Sequence, residues 1–339
     1  MPSVALGLMV PWYVAGDATT RAPGIGGSPG HRPKLVRPIR YSADAENRQD
    51  AELYETHEEV AGGGPDERCS WEPPTEHAAW RWMGIGVGGF IAAQVLATVF
   101  LGVVGALAHR TKSLASLAAQ AEPPAWVVVS QLVGIWTGFV GAAVLVARTS
   151  TSRTLARALG LKFKLVDPLL GLAAGIAGQF LVDLAYLPLV HASKSLQKQI
   201  NAPAQRLTGG FHGWGFWLIG VLTVCVVPVV EELLFRGVFL RALLRMFGAL
   251  RPRSTDDSLP AGTWKVRHSL AVTSALIADG LIFGLAHFEL IQLPGLALFG
   301  ALLALLAYKT KRLGPSIFAH AGFNLIAVVW IGSSGWVRY

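Results

Sequence analysis

Apolar residues are spread unevenly along the chain. Up to about His77 they alternate irregularly with Gly, Pro and charge, and beyond Trp80 they gather into long runs parted by short basic stretches. A helix needs about 17–25 mostly apolar residues to cross a bilayer. Seven runs approach or meet that length, at about 82–108, 125–147, 167–190, 213–235, 268–287, 291–308 and 315–333. Helix is the state open to them, because unpaired backbone groups in lipid cost several kcal/mol each. The pattern predicts an all-α fold, a polytopic membrane helix bundle of about seven transmembrane helices with a disordered N-terminal tail.

The same pattern divides the chain. Residues 1–80 read as a disordered cytoplasmic tail, basic and Pro/Gly-rich in "RAPGIGGSPGHRPKLVRPIR" and acidic from Asp44 to Glu76. "VALGLMVPWYV" near the start is short and broken by Pro11, which suits neither a signal peptide nor a span. Residues 81–164 hold two transmembrane helices and a basic loop, and 165–333 form a second membrane region.

Composition agrees. The 339 residues are 52% hydrophobic and only 15% charged, with a mean hydropathy of +0.46, too apolar for an ordinary soluble domain. The net charge of +8 raises nucleic acid as a partner. However, the basic residues of the apolar part sit in short loops, the signature of membrane orientation, so the partner read here is the lipid bilayer and not nucleic acid. Arg148, Arg153, Arg157, Lys162 and Lys164 fall in one loop, Arg241, Arg245, Arg251, Arg253, Lys265 and Arg267 in a second, and Lys309, Lys311 and Arg312 in a third. Seven spans put all three on one side, which the positive-inside rule makes cytoplasmic, together with the N-terminus. Lys194, Lys198 and Arg206 run against that trend on the other side. Cys69 and Cys225 suggest neither a disulfide framework nor a paired-cysteine metal site.

Ionisable groups inside spans are costly and functional by default. Three clusters stand out: Glu231-Glu232-x-x-x-Arg236 in "EELLFR", Phe283-x-x-x-His287 in "FGLAH" and His320-x-x-x-Asn324 in "HAGFN". A spacing of four places both members of a pair on one helix face. Adjacent glutamates point about 100° apart. Glu232 and Arg236 have the i,i+4 order that favours an ion pair, which leaves Glu231 the freer carboxylate in a setting suited to general-base work. A nearby histidine could share a water with it, and His and Asn are types that stabilise a developing oxyanion. Base, water-positioner and oxyanion donors together describe hydrolysis of an acyl or peptide bond. Each part alone has a plainer reading: a Glu–Arg pair as a staple, a His–Asn pair as helix–helix glue, Phe283 as ordinary core. His191, His212 and His268, at run ends, read as interfacial.

With these three motifs in this order, the region of roughly 165–330 resembles the CPBP intramembrane protease family, also called the CAAX-protease or Abi family. The resemblance implies that Glu231 and His287 activate the catalytic water, that Glu232 and Arg236 support the site, and that His320 and Asn324 form the oxyanion hole. It implies a membrane-embedded protease acting on a membrane-anchored, in some members lipidated, peptide or protein. It also suggests a bacterial plasma membrane, since the family has bacterial members linked to bacteriocin self-immunity. The family is often labelled metalloprotease, and the motifs equally suit a metal-free glutamate mechanism. By residue type Glu231, His287 and His320 could ligate a divalent metal such as zinc, although no His-Glu-x-x-His helix is present.

Two other classes fit part of the pattern. One is a non-catalytic membrane immunity or scaffold protein that keeps the polar cluster as glue. The other is a proton-coupled transporter using Glu231, His287 and Asp279 as a relay, against which no inverted repeat is evident. Asp279, eight residues before His287, either bonds a neighbouring helix or tunes the histidine. Asp183 reads as a helix–helix contact. Depth poses a further requirement: His287 lies about 28 Å beyond His268 at about 1.5 Å per residue. For it to meet Glu231, either the helix bearing Glu231 continues to about Arg245, or the fifth helix is broken or tilted.

Overall fold

The computed structural model describes residues 74–108, 123–150, 154–193, 195, 199–200, 214–250 and 261–333. Every regular element among them is helical: α1 (Glu76–Leu107), α2 (Ala125–Thr149), the short α3 (Leu155–Leu159), α4 (Asp167–Ala192), α5 (214–246), α6 (Ala261–Ala286), α7 (Leu293–Thr310) and α8 (Gly314–Ser333). Six of these are long and apolar enough to cross a membrane. The apolar part of α8, Gly314–Trp330, is a shorter seventh. The protein is an integral membrane protein. Most of the N-terminal tail lies outside the described residues, as do Arg153, Lys194, Lys198, Arg206, His212, Arg251 and Arg253.

Helix ends depart from the hydropathy boundaries. α1 begins at Glu76, where the Thr75 side chain accepts a hydrogen bond from the Ala78 N–H at 3.3 Å and caps the first turn. α5 continues past 235 to Met246, and α6 starts at Ala261 rather than 268. Arg241, Arg245, Lys265 and Arg267 therefore sit on helices and not in a loop. Hydropathy marks where lipid ends, whereas long basic side chains allow a helix to run on toward water.

The packing explains which helix is central. α1 exposes Val87, Ile91, Val95, Val99 and Val103 at four-residue intervals and buries Ala79, Trp82, Ala93, Ala97 and Leu101 on the other face, against α2. α5 has no such exposed stripe between 230 and 244: Leu234, Phe235, Val238, Phe239 and Leu240 are all buried, together with Arg236 and Arg241. A helix apolar all round belongs inside a bundle. α4 and α8 lie unusually close, since a Cβ on Gly175 would run into the Ala319 carbonyl. Such small-residue contacts let helix backbones pack where lipid supplies no hydrophobic drive.

One end of the bundle is a polar clamp. Arg312 Nη2 meets Asp167 Oδ1 at 2.6 Å, the Leu313 N–H donates to the Gly160 carbonyl at 2.9 Å, and Arg241 Nη1 donates to the Ala158 carbonyl. The segment before α4, the C-terminal turns of α5 and the α7–α8 connection are thereby tied together.

Candidate active site

α5 owes its local geometry to an interrupted hydrogen-bond ladder. It is assembled from α-helical Trp214–Val221, π-helical Leu222–Val226, α-helical Val227–Glu232, π-helical Leu233–Phe239 and α-helical Leu240–Met246. In the first π-helical turn the Val227 N–H bonds the Leu222 carbonyl, five residues back. The next bond in that register would join the Thr223 carbonyl to residue 228, which is proline and has no N–H. The freed Thr223 carbonyl instead accepts from Asn324 Nδ2 of α8 at 2.9 Å. π-turns inside α-helices often mark functional sites, and here they flank the two glutamates.

Glu231 and Glu232 lie near the middle of α5, and both are buried. Glu232 Oε1 meets Arg236 Nη1 at 2.8 Å and His320 Nδ1 at 3.2 Å. Glu231 Oε2 lies 3.8 Å from His320 Nε2. Although neighbouring helix positions diverge by about 100°, the two carboxylates meet the two nitrogens of one imidazole. Glu231 Oε2 and Glu232 Oε2 are buried and accept no hydrogen bond from the protein.

Arg236, fully buried, is shared among three helices. Besides Glu232, its Nη2 donates to the Gly300 carbonyl of α7 at 2.8 Å, and its Nε lies 3.4 Å from Asp279 Oδ2 of α6. Its guanidinium stacks 4.5 Å from the Phe283 ring centroid, a cation–π contact strengthened by desolvation. The α6–α7 approach that delivers the Gly300 carbonyl depends on Gly280, where a Cβ would strike the Ala297 carbonyl. Asp279 thus forms an ion pair with the helix carrying Arg236, without a hydrogen bond, and no hydrogen bond or ion pair links it to His287 among the described residues.

His287 follows the last residue of α6. Its backbone N–H turns to the Gly284 carbonyl at 3.2 Å, and its Nδ1 takes the Phe283 carbonyl at 2.7 Å. A carbonyl only accepts, so Nδ1 carries the proton and Nε2 of the neutral ring holds a lone pair. No hydrogen bond or ion pair joins His287 to Glu231 among the described residues. His287 reaches the cluster through Phe283, whose ring lies 4.7 Å from the His287 ring and 5.7 Å from the His320 ring. Phe283, the plainest member of its motif by sequence, is the aromatic centre against which both imidazoles and the guanidinium pack.

The structure therefore brings Glu231, Glu232, Arg236 and His320 into one buried group, adds Asp279, ties Asn324 to the same helix through Thr223, and sets His287 beside Phe283. Thr223 and Gly300 enter through backbone carbonyls. Pro228, five residues after Thr223, is the one sequence sign of the former. Asp183 accepts from Gln179 of its own helix at 2.9 Å, apart from this group. Zinc would need ligand atoms about 2.0–2.2 Å from one centre. Among the described residues no three of His, Cys, Asp or Glu converge closely enough to hold a metal ion, so Glu231, His287 and His320 as placed do not fit that role.

Residues 213–326 match the family model described as type II CAAX prenyl endopeptidase Rce1-like. The matched segment contains all three motifs and runs from the start of α5 into α8, in agreement with the CPBP and CAAX protease resemblance. No curated protein and no solved structure matches the chain. The match covers about a third of the chain, and its description is that of an endopeptidase family.

Proposed function

We propose that the protein is an intramembrane endopeptidase that hydrolyses a peptide bond of a membrane-anchored protein, using a water activated by Glu231. The observation that carries this reading is the freedom of Glu231. Arg236 balances Glu232 through a 2.8 Å ion pair, whereas the buried Glu231 carboxylate has no ion pair with an arginine or lysine among the described residues, and its Oε2 accepts no hydrogen bond from the protein. A helix staple would pair its acid with a fixed cation, whereas this one lies 3.8 Å from an imidazole on the buried central helix.

In the proposed reaction, Glu231 takes a proton from water and the hydroxide oxygen attacks the scissile carbonyl carbon. His287 Nε2, left as an acceptor by the bond at Nδ1, helps to orient the water. His320 already donates from Nδ1 to Glu232. Its Nε2 receives the proton from Glu231, and the resulting imidazolium is balanced by Glu232. Protonated Nε2, together with the second amide hydrogen of Asn324, then faces the tetrahedral oxyanion. Collapse breaks the C–N bond, and the proton leaves on the amine nitrogen. Each such role has the usual weight: about 10²–10⁴-fold for a general base and about 10²–10³-fold for one oxyanion donor.

The family description names a prenyl endopeptidase, so a peptide carrying a prenylated cysteine is the first substrate class to test. Purified wild-type protein should cleave such a probe, and Glu231→Gln should lose the cleavage while unfolding at the wild-type temperature. Full cleavage by Glu231→Gln would overturn the mechanism. Because the donors as placed do not form a metal site, a chelator wash should leave turnover intact. Loss of turnover that zinc restores would reinstate Glu231, His287 and His320 as ligands.

A further inference from the structure

Asp279 belongs to none of the three motifs, yet it lies at the far end of the chain of contacts that runs through the site. It is fully buried, and its Oδ2 is 3.4 Å from Arg236 Nε. The contact is an ion pair and not a hydrogen bond, and neither carboxylate oxygen accepts a hydrogen bond from the protein. From there the contacts continue through Arg236 Nη1 to Glu232 Oε1 at 2.8 Å, from the same Oε1 to His320 Nδ1 at 3.2 Å, and from His320 Nε2 to Glu231 Oε2 at 3.8 Å. The guanidinium is planar, and its donors are fixed relative to one another. A carboxylate charge beside Nε and a carbonyl bonded at Nη2 therefore both act on where Nη1 points.

We propose that Asp279 is a positioning residue. It fixes the rotation of the Arg236 guanidinium, and through it the Glu232 carboxylate that holds the His320 ring in its Nδ1–H form with Nε2 toward Glu231. Two independent features point to this role for Asp279. The first is economy of charge: a buried carboxylate is expensive unless paired, and Glu232 alone already neutralises Arg236, so a second acid is not needed to balance the cation. The second is geometry. The Gly300 carbonyl occupies Nη2 and the Phe283 ring supports the guanidinium face at 4.5 Å, which leaves Nε as the remaining point at which the plane can be set. The plane is then held by hydrogen bonds to its own helix at Nη1 and to α7 at Nη2 and by the charge of Asp279 on α6 beside Nε, so three helices act on one orientation. The placement of α6 thereby reaches His320 on α8 without any contact between Asp279 and either histidine.

This inference rests on the hydrolase reading for its kinetic consequence, but not for its structural one, and the experiment separates the two. The full-length protein in lipid nanodiscs is compared as wild type, Asp279→Ala and Asp279→Asn, with 15N-labelled histidine and a prenylated quenched peptide as probe. His320→Gln assigns the His320 signals. In the wild type the His320 imidazole nitrogens should report the Nδ1–H tautomer. Asp279→Ala should mix the tautomers and lower kcat by about 10²-fold, the scale of a misplaced catalytic geometry, with KM unchanged. Asp279→Asn keeps a negative carbonyl dipole beside Nε and should restore the tautomer and most of kcat. An alanine variant with the wild-type tautomer overturns the proposal, as do alanine and asparagine variants that lose kcat equally or an alanine effect confined to KM. If the alanine protein does not fold, Asp279→Thr is read instead, since its short side chain fills the space but bonds its own helix and cannot reach the guanidinium. If the wild type leaves the probe uncut, the hydrolase reading fails while the tautomer comparison still decides the role of Asp279.

Discussion

Arg236 illustrates how a residue that would be prohibitive in lipid becomes the centre of a site. Its guanidinium has one partner at each outward position: Glu232 at Nη1, the Gly300 carbonyl at Nη2 and Asp279 at Nε. Removing the cation would strand two carboxylates in a dry interior. Breaking a buried pair in this way costs about 3–5 kcal/mol. Arg236→Met should therefore lower the thermal unfolding temperature of the detergent-solubilised protein sharply. Adding Glu232→Gln and Asp279→Asn should return much of the loss, because no unpaired charge then remains. If the triple variant is no more stable than Arg236→Met alone, the arginine stabilises by packing against Phe283 rather than by charge. Arg236→Lys is not a conservative exchange here, since an ammonium cannot keep three directed contacts in one plane.

At the scale of the element, the hydrogen-bond ladder of α5 sets the relation between the glutamates and α8. The Thr223 carbonyl is free because Pro228 cannot donate, and Asn324 uses it. This gives a double-mutant cycle. Asn324→Ala should destabilise the protein by about 1–3 kcal/mol, the cost of an unsatisfied buried carbonyl. In a Pro228→Ala background the restored N–H can take the Thr223 carbonyl, and the same Asn324 substitution should then cost much less. Additive effects in unfolding experiments would show that the two positions are not coupled through Thr223. The α6–α7 contact is tested by Gly280→Val, which pushes a branched side chain into the α7 backbone and should destabilise by about 1–3 kcal/mol, while Gly84→Val, where a Cβ meets nothing within 4 Å, should be near neutral. These elements also explain which parts of the site can be seen in the sequence. Glu231, Glu232, Arg236, Asp279, His287 and His320 are visible because an ionisable letter inside an apolar run is conspicuous. The Thr223 and Gly300 acceptors are backbone atoms and have no letter of their own. Phe283 looks like any core aromatic until its neighbours are known. Hydropathy marks helices only to the edge of the apolar run, so Arg241 and Lys265 moved from loop to helix. The depth of His287 nevertheless offers a continuation of the Glu231 helix to about Arg245, and α5 does run to Met246, whereas the start of α6 at Ala261 has no such sign.

At the scale of the whole molecule, the question is how the bundle lies in its membrane. The basic connections are scattered in sequence but joined in space, through Arg241 to Ala158, Leu313 to Gly160 and Arg312 to Asp167. Lys162, Lys164, Lys309 and Lys311 belong to the same connections. Within this cluster burial, reinforced by the nearby Arg241 and Lys309 charges, holds the Lys311 ammonium below the usual lysine range, so positive charge is concentrated at the clamp. Orientation follows the lysines and arginines near span ends, in short loops, and this end should therefore face the cytoplasm. The opposite end carries the α6–α7 turn, where Leu290 is 80% exposed. In a Cys69→Ser, Cys225→Ser background, single cysteines at Lys164 and Leu290 give a direct reading with a membrane-impermeant maleimide. Leu290→Cys should label in intact cells, and Lys164→Cys should label only after lysis. The reverse pattern would place the clamp outside. His287, one turn from the exposed α6–α7 connection, would then lie toward the cytoplasm, and a substrate would have to reach the glutamates from the other leaflet.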